Sequence, residues 1–116
     1  MEEKKIIEGN TIIHDWIGAR RMKPPFDKWW IGAQKPEDLR YHLSWNWLMP
    51  VVEKIEGLGY DSRICGHNSD GGYLCDFVNF ENEEAASKTS YSSKIEAVWL
   101  SVIDFITWYN SSNQLP

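Results

Sequence analysis

The chain has 116 residues, of which 42% are hydrophobic, and a formal net charge of −5. This length and composition predict one packed globular domain over residues 1–116 and exclude a disordered chain. The negative charge argues against direct nucleic-acid binding, because a surface that contacts phosphates must be basic.

The beginning of the chain contains no apolar segment of the signal-peptide type, and every apolar run is much shorter than a membrane-spanning helix. We therefore expect a cytoplasmic protein without membrane contact. In that compartment the two cysteines, Cys65 and Cys75, are expected to be free thiols.

The first predicted element is a short helix that Asn10 caps and Gly18 ends, with apolar residues at helical spacing between them. Residues 19–28 contain two prolines and four basic side chains, which predicts a loop. The segment 29–31, Trp-Trp-Ile, is predicted to be a short strand.

The second predicted helix begins after Ser44, a good N-cap residue, and ends at Gly57. Pro50 lies beyond its first turn and is expected to bend it. Spacings of three and four residues predict a buried face that consists of Trp45, Leu48, Val52 and Ile55.

A β-hairpin is predicted next, because two strands at 60–66 and 73–80 flank a segment, 67–72, that is dense in turn residues. Alternation along the second strand predicts one face with Tyr73, Cys75 and Phe77, and an opposite face with Leu74, Asp76 and Val78. Residues 81–92 show no period and are predicted to form a mobile loop.

Ser93 and Glu96 form a capping-box pattern that predicts the start of the last helix, which is expected to end near Asn110. The apolar stripe of this helix consists of Ile95, Val98, Trp99, Val102, Ile106 and Tyr109. The residues expected to be buried against the sheet are Trp99, Val102 and Ile106.

The predicted order is therefore helix, strand, helix, hairpin, helix. It indicates an α+β fold with a small three-stranded antiparallel sheet and about three helices packed on it. The order of the last elements is similar to that of a double-stranded RNA-binding domain. That module requires basic contacts to RNA, whereas residues 92–97 hold one Lys and one Glu, so we expect no RNA binding.

The segment 41–60, with the core Ser-Trp-x-Trp-Leu-Met-Pro-Val-Val-Glu-Lys-Ile, resembles a family of short bacteriophage and prophage proteins with a phage ABA (α/β/α) sandwich domain. The segment 10–18 and the last helix, from Lys-Ile-Glu-Ala-Val to Trp-Tyr-Asn, match the same pattern. The resemblance implies a sandwich fold and a phage origin. It implies no activity and no catalytic residue.

A zinc site is the first chemical possibility to weigh. If the hairpin turn is centred near residue 70, Cys65 and Cys75 lie opposite each other with His67 at the turn, and Asp70 or a water could complete the ligands. The cysteine spacing is not that of a zinc knuckle or ribbon. We therefore expect ordinary thiols, no metal, no disulfide and no cofactor.

The sequence evidence for a catalytic site is weaker still. A cysteine nucleophile needs a positioned base and an orienting third group, and neither cysteine has the flanking signature of a catalytic cysteine. A carboxylate pair such as Asp76 and Glu81 is more typical of a solvated acidic edge. We therefore predict that the protein is not an enzyme.

The net charge is confined to one half of the chain. Residues 1–58 hold nine basic and nine acidic side chains, whereas residues 59–116 hold three and eight. An acidic surface suits docking on a basic protein. For a phage protein, this favours an antagonist of host antiviral defence, an anti-CRISPR-like inhibitor of a nucleic-acid-guided nuclease in the host cytoplasm. The predicted partner-binding residues are Asp76, Glu81, Glu83 and Glu84.

The alternative is a phage accessory or regulatory module that binds nucleic acid through the segment 20–30. Charge and aromatic stacking together can hold single strands. The residues that would do so are Arg20, Arg21, Lys23, Lys28, Trp29 and Trp30. The acidic remainder of the chain makes this alternative second to the inhibitor.

Overall fold

The computed structural model describes residues 2–17, 38–66, 71–79, 81 and 83–113. Its elements in chain order are α1 (Glu3–Trp16), α2 (Trp45–Gly57), β1 (Asp61–Cys65), β2 (Tyr73–Val78), β3 (Glu84–Ser90) and α3 (Lys94–Asn113). The three strands form one antiparallel sheet in the order β1-β2-β3. This confirms the α+β class with a three-stranded antiparallel sheet and three helices.

The position of the third strand differs from the prediction. Residues 84–90, predicted as part of a mobile loop, form β3 and pair with β2 from Tyr73↔Ser90 to Val78↔Glu84. Only Ala86 and Ser90 of this strand are buried. Because these buried residues are small or polar, the sequence of the strand lacks the apolar alternation by which strands are recognised. The predicted loop 19–28 and strand 29–31 lie outside the described residues.

Helix α1 is longer than predicted because it begins at Glu3, and Glu2 is its N-cap residue. Asn10, predicted as the cap, lies in the middle of the helix and is buried. The charged first turn concealed the helix, because its apolar contact to the core starts only at Ile6 and reaches full burial at Ile13.

Helix α2 begins after Ser44 as predicted, although the Ser44 side chain makes no capping hydrogen bond. Trp45 is 39% exposed, so its assignment to the buried face was wrong. Trp45 and Asn46 are exposed at the start of the helix, and the residues of α2 that are buried are Leu48, Val51, Val52 and Ile55.

The junction between β3 and α3 is held by serine hydroxyls. The Glu96 N–H donates to Ser93 Oγ at 3.1 Å, which confirms half of the capping box. The Glu96 carboxylate does not turn back to the backbone of Ser93; it accepts a hydrogen bond from Ser90 Oγ at 3.0 Å. Ser90 Oγ in turn accepts from the N–H of Ser92 at 3.1 Å. These bonds fix where α3 leaves the sheet.

Helix α3 is the centre of the packing, since it contacts all three strands and both other helices. Trp99, Val102 and Ile106 are all buried, which confirms their predicted burial but, for Trp99, not its predicted packing against the sheet. The ring of Trp99 faces α1 and the turn before α2, because it contacts Asn10 and His42. None of the described helices combines the length and apolarity needed to cross a membrane.

Candidate protein-binding surface

The register of the hairpin separates the two cysteines. Cys65 pairs with Leu74, and Cys75 pairs with Ile64, so the predicted pairing of Cys65 with Cys75 was wrong by one residue. Because side chains alternate along a strand, this places the thiols on opposite faces of the sheet. Cys75 is buried in the core and Cys65 is exposed. His67 and Asp70 lie outside the described residues.

This arrangement is unfavourable for zinc, because two thiolates on opposite faces cannot bind one tetrahedral ion. Within the described ranges no cluster of three or more His, Cys, Asp or Glu residues has a metal-binding arrangement. Burial raises the pKa of the Cys75 thiol to about 12, so this side chain stays protonated and unreactive at neutral pH.

We predict that one of the two thiols reacts with a soluble disulfide reagent in the native protein. Cys65 should react at once because it is exposed, whereas Cys75 should react only on unfolding. The measurement is a thiol titration with and without denaturant, and Cys65→Ser should remove the fast phase. Two fast-reacting thiols in the native protein would contradict the burial of Cys75.

Asp76 differs from the other predicted contact residues. It is only 7% exposed, and its Oδ2 accepts a hydrogen bond from the Arg63 guanidinium at 3.2 Å. Its Oδ1 is buried and has no hydrogen-bond partner. Asp76 therefore belongs to the ion pair between β1 and β2, and its prediction as an exposed contact residue was wrong.

The turn between β2 and β3 presents the other predicted carboxylates. Asn79 Oδ1 accepts from the N–H groups of Glu81 and Glu83, at 2.9 and 3.0 Å. The Asn79 N–H donates to the Glu83 carbonyl at 3.1 Å. This side chain organises the turn as an Asx-type motif, so that Glu81, Glu83 and Glu84 are all exposed at a fixed place.

The strand register adds a fourth carboxylate that the sequence did not indicate. Asp61 pairs with Val78, and Val78 pairs with Glu84, so the three residues form one row across the sheet. Two strand spacings separate Asp61 from Glu84, about 10 Å. We call the exposed carboxylates of Asp61, Glu81, Glu83 and Glu84 the acidic end. Pairing between distant segments, which no local pattern reveals, brings them together.

Aromatic rings lie at the same end of the sheet. Tyr60, which directly precedes β1, has its ring centre 6.0 Å from that of Trp108 near the end of α3. Trp108 is 41% exposed and Leu58 is 42% exposed. Because side chains alternate along β1, Tyr60 and Trp108 lie on the α3 face of the sheet, whereas the row from Asp61 to Glu84 lies on the opposite face.

A buried polar network fixes α1, and the sequence analysis missed it. The Asn10 amide donates to the Leu39 carbonyl at 3.0 Å and to His42 Nδ1 at 2.9 Å, while its oxygen accepts from Trp99 Nε1 at 2.8 Å. Both amide hydrogens are used, so His42 accepts at Nδ1 and carries its proton on Nε2. The position of Asn10 between the isoleucine pairs Ile6-Ile7 and Ile12-Ile13 was the available signal.

A second pair lies one turn further along α1. His14 Nδ1 and the Tyr41 hydroxyl are 2.9 Å apart, and both side chains are buried. Burial raises the pKa of Tyr41, which keeps its phenol neutral. The two histidines thus serve to hold the turn 38–44 against α1, and their geometry is that of a structural contact.

We expect the free energy of unfolding to fall as the pH drops below about 6.5, the ordinary pKa of histidine. Burial, followed by the charge of Arg40, lowers the pKa of His42 in the folded state. The unfolded chain therefore binds the proton first, so stability present at neutral pH is lost as the pH falls through the folded pKa. Protonation also removes the acceptor that Asn10 uses.

Urea denaturation between pH 7.5 and 5 measures this effect. His42→Gln keeps an acceptor without a titrating group, so its stability should depend less on pH than that of the natural protein. If the free energy of unfolding changed equally with pH in the two proteins, His42 would not be the cause of the pH dependence.

The basic and aromatic residues of the segment 20–30 lie outside the described residues. They are Arg20, Arg21, Lys23, Lys28, Trp29 and Trp30. No protein-family model matches the chain, and no curated protein or solved structure is detectably similar to it.

Proposed function

We propose that this protein is a non-enzymatic binding protein whose acidic end docks on a basic surface of a host protein. The observation that carries the proposal is the gathering of four exposed carboxylates at one end of the sheet, on a turn that Asn79 holds in place. Like charges concentrated on an ordered surface accelerate association with a basic partner.

The class of partner follows from two further arguments. The resemblance of the segment 41–60 to phage ABA-sandwich proteins supports a phage origin. Nucleic-acid-guided nucleases hold guide and target in positively charged channels. We therefore propose an antagonist of host antiviral defence that binds such an effector in the host cytoplasm and obstructs its nucleic-acid channel, in the manner of an anti-CRISPR protein.

The triple reversal Glu81→Lys, Glu83→Lys and Glu84→Lys should slow association with the captured host protein about tenfold or more at low salt. The dissociation rate should change less, because exposed charges act mainly on the encounter. Fold stability should change little, since all three side chains are exposed. Binding kinetics with immobilised protein, at several salt concentrations, measure the effect.

A matched control reverses three other exposed carboxylates, Glu3, Glu8 and Asp38. Helix α1 runs parallel to α3, as Gly9 lies near Trp99 while Trp16 packs on Phe105 and Tyr109. Glu3 and Glu8 therefore lie towards the start of α3, at the end of the molecule opposite the acidic end. This control changes net charge equally and should affect the on-rate much less.

The partner is isolated from host lysate, identified by mass spectrometry and purified for the kinetic measurement. Support requires a guided nuclease whose target cleavage falls in the presence of this protein. The same variants are tested on single-stranded and duplex RNA and DNA. If the triple reversal binds the host protein normally, while an Arg20/Arg21 variant alone loses nucleic-acid binding, the inhibitor proposal is wrong.

A further inference from the structure

The outer edge of β3 carries main-chain groups that the described part of the chain leaves unpaired. β3 ends the strand order β1-β2-β3, so only one of its two edges is bonded to β2. Among the described residues, no backbone hydrogen bond reaches the other edge. Every second N–H and C=O of β3 therefore points outward. A row of such groups is the surface to which another extended chain adds as a strand.

Both ends of this edge are fixed. Asn79 Oδ1 accepts from the Glu83 N–H in the turn that leads into β3, and Ser90 Oγ donates to the Glu96 carboxylate where β3 ends. Helix α3 also contacts the strand. A strand held in this way needs little further ordering when a second chain pairs with it, so little conformational entropy is lost on binding.

The side chains of β3 leave the edge accessible. Beyond the register shift beside Val78, the pairing with β2 is regular from Ala86 to Ser90. Apart from one lysine, the side chains of this stretch are those of Ala, Ser and Thr, and none of them is large enough to cover the edge. An added strand therefore meets a regular backbone without a bulky obstacle.

The opposite edge of the sheet, which β1 forms, is less suitable. Helix α2 contacts β1, and Glu56 of that helix accepts a hydrogen bond from Ser62. The exposed residues of β1 include the charged Asp61 and Arg63. Charged side chains and a neighbouring helix both keep an edge from pairing, so β1 provides an internal comparison for β3.

Lys88 sets the charge that a pairing strand must have. It lies opposite Cys75, whose side chain is in the core, so Lys88 is on the α3 face of the sheet. It is nevertheless exposed, and its ammonium forms no ion pair or hydrogen bond with the residues that the structure describes. A lysine in an edge strand disfavours indiscriminate pairing, whereas an acidic side chain directly opposite it is favourable.

We propose that the outer edge of β3 binds an extended segment of the partner protein as a fourth strand, with an acidic side chain of that segment facing Lys88; this inference rests on the proposed function for the partner. Main-chain hydrogen bonds hold the segment, and the pair with Lys88 selects it. Glu84, the first residue of β3, belongs to the acidic end. The basic surface that the acidic end attracts therefore adjoins the segment that the edge binds.

A second copy of this chain fits the edge less well. In antiparallel pairing of two β3 strands about Ser87, the two Lys88 side chains are diagonal neighbours on one face, about 7–8 Å apart. In parallel pairing with the same register, the two Lys88 side chains lie side by side. Neither arrangement places a carboxylate opposite Lys88, whereas a partner segment supplies its own.

Hydrogen exchange, measured by nuclear magnetic resonance on the ¹⁵N-labelled full chain, tests this proposal. The probe is the capped peptide Thr-Val-Thr-Glu-Thr-Val-Thr, which places its Glu and Val side chains on one face of a strand. The outward amides of β3 should exchange about tenfold more slowly when the peptide is present at about ten times its dissociation constant. The outward amides of β1 should not change.

Two comparisons establish how the peptide binds. Every second peptide nitrogen is methylated, in both possible patterns. The pattern that removes the donors facing β3 should abolish the protection, and the other should preserve it.

Replacement of the peptide Glu by Gln and Lys88→Gln in the protein form a double-mutant cycle. A coupling of about two- to fivefold in affinity is expected, and the effects of net charge cancel in the cycle. Lys94→Gln removes the same charge from an exposed lysine outside the edge and should show no coupling.

The strand-binding edge is overturned if a large excess of peptide leaves the β3 amides unprotected, if both methylation patterns act alike, or if Lys88 and Lys94 show equal coupling. Protection that grows with protein concentration without peptide would assign the edge to a second copy of the chain and also overturn it. Normal binding of the host protein by the triple reversal, with β3 protected by the peptide, would reject the proposed function while supporting the strand-binding edge.

Discussion

Replacing Trp99 with Ala is expected to lower the free energy of unfolding by about 3–5 kcal/mol, the usual loss for a buried tryptophan. The side chain is only 2% exposed and lies between α1 and α3. Its indole N–H is also the donor to Asn10 Oδ1. The substitution therefore leaves a cavity and a buried acceptor without its partner, and both are unfavourable.

Urea denaturation followed by circular dichroism measures this loss. Two further variants separate the contribution of the buried ring from that of the hydrogen bond. Trp99→Phe keeps an aromatic ring but removes the donor, so it should cost less than Trp99→Ala, while still costing about 1–3 kcal/mol for the unsatisfied acceptor. Trp45→Ala removes a half-exposed indole and should cost much less than Trp99→Ala. A loss below about 1 kcal/mol for Trp99→Ala would place Trp99 at the surface.

Replacing Gly9 with Val is expected to destabilise the protein severely, because side chains of α3 already occupy the space beside Gly9. A Cβ atom at Gly9 would lie 2.5 Å from both Ile103 Cδ1 and Trp99 Cζ2. The Ile103 methyl can move, but the Trp99 indole is held by its bond to Asn10. Overpacking a well-packed contact costs about 1–3 kcal/mol, and Val adds two methyl groups beyond the first clash.

Gly9→Ala provides the sharper comparison. Alanine favours a helix over glycine by about 0.5–1 kcal/mol, so helix propensity alone would stabilise this variant. We expect the clash to outweigh that gain and the variant to lose stability. Gly57→Ala is the matched control, since a Cβ atom there meets nothing within 4 Å. Equal effects of the two alanines in denaturant melts would show that α1 and α3 are not in close contact at Gly9.

Part of this fold could be predicted because burial within one element leaves a periodic pattern. The stripe of α3 identified Trp99, Val102 and Ile106 as buried, and the alternation of β2 placed Cys75 and Phe77 on the core face. The start of α3 was found from Ser93, whose hydroxyl accepts the Glu96 N–H. In each case the residues that specify the feature lie within a few positions of one another.

The errors arise where polar or small residues take structural positions. β3 was predicted as a loop because its buried residues are Ala86 and Ser90, which give no apolar alternation. Asn10 was interpreted as a cap because its real partners lie 29 to 89 residues away. Asp76 was counted as a surface carboxylate because its ion pair with Arg63 depends on strand pairing.

The sequence by itself determined the α+β class, the core stripe of α3 and the concentration of negative charge in the second half of the chain. The tertiary structure decided which carboxylates share a surface. A one-residue change of register moves every side chain of a strand to the opposite face. Register thus separated Cys65 from Cys75 and placed Asp61 in one row with Glu84. Local sequence patterns predict which residues are buried, but only the pairing of distant segments determines which residues are neighbours across the sheet.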